Sequence, residues 1–67
     1  MTINRTSVMN YWTRQINTGK ETYLDELGHK DYTYMGEDAA RHFGVASDMG
    51  DSDIEQQIFE WATEIIF

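Results

Sequence analysis

Sixty-seven residues with a net charge of −7, no cysteine and no proline make one small acidic domain at most. Disulfides and thiolate zinc sites are excluded, and a 40% hydrophobic content with two tryptophans is too apolar for a chain that stays unfolded. The acidic balance repels nucleic acid and anionic membrane surfaces, and no stretch has the pattern of a signal peptide or a membrane span, so a cytoplasmic setting is expected.

The first element is a helix from about Asn4 or Ser7 to Asn17. Val8, Trp12 and Ile16 recur at i, i+4 and i+8, with Met9 and Tyr11 beside them. Asn4, Thr6 and Ser7 are each suitable caps, and Thr18-Gly19 supplies the stop. Residues 20–35 allow two readings. Tyr23, Leu24 and Leu27 at helical spacing, with Gly28 behind them, favour a short helix over Glu21–Leu27. The rival is a hairpin in which Thr22–Leu27 pairs with Lys30–Met35 across Gly28-His29. Direct pairing of that kind sets Glu26 against Asp31, which is repulsive.

Residues 36–44 read as another short helix, with Glu37 and Asp38 at its positive end, Arg41 and His42 at its negative end and Gly44 as the stop. After a loop over 45–51, the last helix starts at Asp53. Ser52-Asp53-Ile54-Glu55 matches the capping box, and Ile54, Ile58, Trp61, Ala62 and Ile65 follow on one face. The expected fold is mainly α, a compact bundle of three to four short helices, with an α+β fold carrying a small hairpin at residues 22–35 as the alternative. Trp12, Ile16, Phe43, Ile54, Ile58, Trp61 and Ile65 are the expected core.

The acids are distributed very unevenly. Residues 1–36 balance four acids against four cations, whereas residues 37–67 hold Glu37, Asp38, Asp48, Asp51, Asp53, Glu55, Glu60 and Glu64 against Arg41 alone. On the last helix, Asp53, Glu60 and Glu64 fall within a narrow arc, at rises of roughly 10 and 6 Å along the axis. That is the scale of phosphate spacing along a nucleic-acid strand. Asp48 and Asp51 extend the row, and Glu37 and Asp38 form a flank. These seven carboxylates are the candidate partner-binding residues. A solvated surface that keeps a small protein soluble is the plainer account of them.

Other chemistries have less behind them. Asp48, Asp51, Asp53 and Glu55 cluster, but without the spacing of a calcium loop. Asp38 and His42 at i, i+4 are at best half a zinc site. There is no phosphate-binding glycine loop and no Ser-His-Asp pattern, so neither an enzyme nor a cofactor is expected. Phe59, Ile66 and Phe67 widen the apolar side of the last helix and are candidates for a dimer or partner interface.

Two resemblances bear on function. Gly36-Glu-Asp-Ala-Ala-Arg-His-Phe-Gly-Val45-Ala-Ser-Asp48 resembles the first helix and turn of helix-turn-helix motifs. The segment that would then meet phosphates, Asp48 to Glu55, is acidic, so a DNA-reading role would be lost or inverted. In size, acidity and charge segregation the chain resembles the small inhibitors of the anti-CRISPR and anti-restriction type that bacteriophages and mobile elements make. That resemblance implies a DNA-mimicking surface that occupies the basic groove of a host nucleic-acid-binding complex in the host cytoplasm. The alternative is a small helical adaptor or regulatory protein acting through its apolar surface.

Overall fold

The computed structural model describes residues 3–46 and 53–65. Three helices make up the fold: α1 (Arg5–Asn17), α2 (Tyr32–His42) and α3 (Asp53–Glu64). Among the described residues there is no sheet, and the mainly α bundle expected from the sequence is the one present.

Helix α1 begins where a capping residue permits it to. Asn4 is extended, its side chain accepts from the Ser7 amide at 2.9 Å, and the Ser7 hydroxyl accepts from the Asn4 amide at 3.0 Å. This reciprocal pair satisfies two backbone donors that would otherwise point out of the helix end. The helix buries Val8 and Trp12 on one face, four residues apart. Trp12 is fully enclosed, and its indole N–H donates to the Met35 carbonyl of α2 at 3.0 Å. That bond removes the cost of burying the one polar atom of the ring.

The expected helix over Glu21–Leu27 does not form, and neither does the hairpin. Residues 18–31 are a connection with one isolated antiparallel bridge, Leu24 to Lys30. A hairpin turning on Gly28-His29 sets Leu27 against Lys30; the observed bridge is three residues away from that register. The tip is instead closed by Asp25. Its carboxylate accepts from the amides of Leu27 and His29, both at 2.9 Å, and its own amide donates to the His29 carbonyl at 2.7 Å. A side chain that satisfies two local amides competes directly with helix formation. Leu27 is consequently 80% exposed and Leu24 47%, so the apolar face assigned to this segment is not buried as a unit.

Helix α2 starts four residues earlier than the sequence suggests. Asp31 caps it by accepting from the Tyr34 amide at 3.1 Å. Tyr32, Thr33 and Tyr34 favour strands by propensity, but packing overrides this weak preference. Glu37 and Asp38 therefore stand in the middle of α2 and not in its first turn. At the other end the expectation holds: Arg41 and His42 occupy the last turn, and Gly44 follows with φ 74, a backbone angle that a residue with a Cβ adopts at a cost.

Helix α3 packs chiefly on α2, and α1 touches both. The α2–α3 approach depends on Gly36. A Cβ there would lie 2.1 Å from Cδ1 of Phe59, so the phenyl ring of α3 occupies the space a side chain on α2 would need. The buried interior comprises Val8, Trp12, Tyr23, Met35, Ala39, Ala40, Ile58 and Ala62, with Ile16, Phe43, Ile54, Trp61 and Ile65 packed around it. The centre of the buried stripe on α3 is rotated from the expected line. Glu55, Ile58 and Ala62, at i, i+3 and i+7, are its buried residues, and Glu55 is only 4% exposed. The proposed capping partner of Glu55, Ser52, lies outside the described residues.

Candidate functional site

The seven candidate carboxylates do not form one class. Asp48 and Asp51 lie outside the described residues, as do Ile66 and Phe67 of the candidate apolar interface. Asp53, Glu60 and Glu64 are exposed on α3. At about 100° per residue they and the exposed Gln57 span an arc of roughly 60°, so one face of this helix carries the row. The Gln57 amide donates to Glu60 at 3.3 Å. Glu64 meets the guanidinium of Arg5, Nε to Oε2 2.9 Å, with both side chains more than half exposed. This is the one ion pair among the described residues, and an exposed pair of this kind contributes only about 0–1 kcal/mol. Glu37 is exposed on α2.

Asp38 belongs elsewhere. It is half-buried, and its Oδ2 accepts from the hydroxyls of both Tyr11 and Tyr23 at 2.7 Å. The two tyrosines come from α1 and from the 18–31 connection, so one carboxylate ties three parts of the chain together. Burial and then the bond to Asp38 push the Tyr11 hydroxyl up to about 12, and the same causes, in the same order, raise Tyr23 further. Both phenols are therefore neutral donors at physiological pH. Tyr23 takes a left-handed backbone, φ 57, which is uncommon for a bulky residue and is held here by the buried ring and its hydroxyl bond. Beside it, Tyr34 packs against the Tyr23 ring and donates to Glu21 at 2.7 Å. That bond, ahead of burial, raises the Tyr34 hydroxyl to about 12.

Sequence patterning missed Asp38 because α2 was begun at Gly36. With the helix begun at Tyr32, Met35, Asp38, Ala39 and His42 fall at i, i+3, i+4 and i+7, on the flank of the buried stripe. Asp38 and His42 take two separate roles, and His42 stands in the last turn of α2 as the sequence suggests. His42 stacks on Tyr11 with ring centroids 4.0 Å apart and planes 18° from parallel, and Phe43 meets the imidazole edge-on at 4.9 Å. Among the described residues, no group of three or more His, Asp and Glu side chains is placed to hold a metal ion. Phe59 is half-buried with its ring against Gly36, so it serves packing between α2 and α3.

One groove accompanies this arrangement. It has a volume of about 280 Å³ and is lined by Ser7, Asn10, Tyr11 and Arg14 of α1 with His42 and Phe43 at the end of α2. No acid among the described residues lines it. Among the described residues, no helix is long and apolar enough to cross a membrane.

No family model matches the chain, and neither a curated protein nor a solved structure does.

Proposed function

We propose that the protein is a binding protein whose acidic outer face occupies the basic groove of a nucleic-acid-binding complex and excludes the nucleic acid, as inhibitors of the anti-CRISPR and anti-restriction type do. The observation that supports this reading is the state of the α3 carboxylates. Asp53, Glu60 and Glu64 stand exposed on one helical face, and only Glu64 is paired with a cation, at the end of the row. An ordinary surface intersperses both signs. Here Glu60 and Glu64, at i and i+4, repel one another by a few tenths of a kcal/mol without a cation between them. A groove lined by lysine and arginine is already arranged to receive such a row.

In this reading Asp53, Glu60 and Glu64 carry the contact, and Glu37, Asp48 and Asp51 contribute further negative charge to it. Asp38 holds the scaffold, since its Oδ2 is occupied by two tyrosines. The protein acts by occupancy and not by catalysis, needs no cofactor, and works in the cytoplasm where its partner reads nucleic acid.

The test is displacement of a labelled duplex from a panel of purified restriction and RNA-guided nucleases, at low and at physiological salt. Displacement by the wild type should weaken steeply with salt, because exposed charge pairs are screened over about 8–10 Å. Glu60→Lys with Glu64→Lys should abolish displacement while helicity is unchanged. Equal displacement by the charge-reversed protein sinks the proposal and moves the activity to another face.

A further inference from the structure

The groove between α1 and the end of α2 is chemically unlike the rest of the molecule. In a chain with twelve acids and five lysines and arginines, its lining among the described residues contains an arginine and a histidine and no acid. We propose that this groove is a binding site for a phosphate group, either free or carried as a monoester by a small metabolite. The proposal is independent of the acidic row on α3.

Ser7, Asn10, Tyr11 and Arg14 lie at i, i+3, i+4 and i+7, so a single face of α1 presents an amide, an aromatic ring and a guanidinium in succession beyond Ser7, whose hydroxyl is engaged with the Asn4 backbone. Arg14 is exposed and makes no ion pair with any described residue, although acids outnumber cations more than two to one. A guanidinium left open in this way offers a planar fork of donors that matches a phosphate. The opposing donor is held in place. His42 is exposed, and an exposed side chain is ordinarily a mobile one. Here the imidazole is stacked on Tyr11 and met edge-on by Phe43. Tyr11 is itself anchored, because its hydroxyl is bonded to Asp38 at 2.7 Å. The ring that positions His42 is thus fixed from the interior outwards, which is the kind of support a binding group requires.

Two features oppose an anion: the negative partial charge at the end of α2, and the Asp38 carboxylate beyond the Tyr11 ring. Arg41 and His42 in the last turn counter the first. The second is engaged by two hydroxyl donors and faces the interior. Phe43 and the Tyr11 ring supply an apolar wall, and about 280 Å³ is more than one phosphate fills. The groove therefore suits a phosphate bearing a small organic group.

The test is a heteronuclear NMR titration of the full chain with inorganic phosphate, with adenosine monophosphate and with sodium chloride at matched ionic strength. Expected are saturable shifts confined to Ser7, Asn10, the Arg14 side chain and His42 with one or both phosphates, and none with chloride. Arg14→Ala, an exposed substitution that leaves helicity intact, should weaken the binding about tenfold, the loss of one charge-assisted pair. Saturation by both probes alike identifies free phosphate as sufficient, whereas saturation by the nucleotide alone identifies a monoester. Shifts that never saturate, that match those of chloride, or that persist at full affinity in Arg14→Ala overturn the proposal.

Discussion

Asp38 and Glu60 are carboxylates of the same acid-rich half of the chain, and the structure uses them in opposite ways. Asp38 lies half-buried between α1, α2 and the 18–31 connection and accepts two tyrosine hydroxyls on a single oxygen. Glu60 lies on the outer face of α3, with only an amide of its own helix against it. The first draws its energetic weight from low solvent access, where a charge-assisted hydrogen bond is strong. The second is surrounded by water, where its contribution to folding is near zero and its field is free to act on another molecule. Charge counted along a sequence treats the two alike. What separates them is the phase of the helix each sits on.

Removing the inner carboxylate should test this contrast most severely. Asp38→Ala leaves two tyrosine hydroxyls without an acceptor and should cost about 3 kcal/mol of stability, read from urea unfolding. A loss below 0.5 kcal/mol would place Asp38 with the outer row after all. Next comes the spacing between α2 and α3. Gly36→Ala sets a methyl against the Phe59 ring and should cost about 1–2 kcal/mol, the overpacking penalty less the gain in helix propensity. Phe59→Leu in the same chain should recover part of that loss; no recovery would show that Phe59 is not the obstacle.

Alkaline pH probes the inner side without mutation. The hydroxyls of Tyr11 and Tyr34 are raised to about 12 and that of Tyr23 is raised as well, so the folded chain keeps these protons where the unfolded chain releases them. Their contribution to stability is complete below about pH 10, the ordinary tyrosine value, and is lost as pH rises through the folded values. The urea midpoint should fall between pH 10 and 12, and more steeply in the wild type than in Tyr11→Phe. Equal slopes would remove Tyr11 from the network. The smallest effect belongs to the outer row. Glu60→Ala should change stability by less than about 0.5 kcal/mol in the same urea assay, while Glu64→Ala should lose at most about 1 kcal/mol with its Arg5 pair.

Helices α1 and α3 were legible because their apolar residues repeat at the helical period and a capping residue or an acidic first turn marks the start. The failure at 20–35 has a specific cause. Periodicity weighs side chains by polarity, but the fate of this segment was decided by Asp25 and Asp31, each of which bonds backbone amides of its own neighbourhood. One closes a loop tip and the other starts a helix, and nothing in the identity of an aspartate tells which. The same start error at α2 concealed Asp38 as an interior residue. Glu55 is a different case: the capping-box pattern pairs it with Ser52, and that reading leaves unused its spacing to Ile58 and Ala62, which places it on the buried face. The groove at Arg14 and His42 was not legible, because it joins residues far apart in the chain through the stacking of Tyr11 on His42.

The pair formed by Arg5 and Glu64 has an architectural consequence. It joins the first residue of α1 to the last residue of α3, so the bundle begins and finishes at the same pole. A bundle whose first and last helical residues are joined in this way suits insertion into a surface loop of a carrier protein. Its outer helical face would then still be displayed, now on a scaffold of the experimenter's choosing.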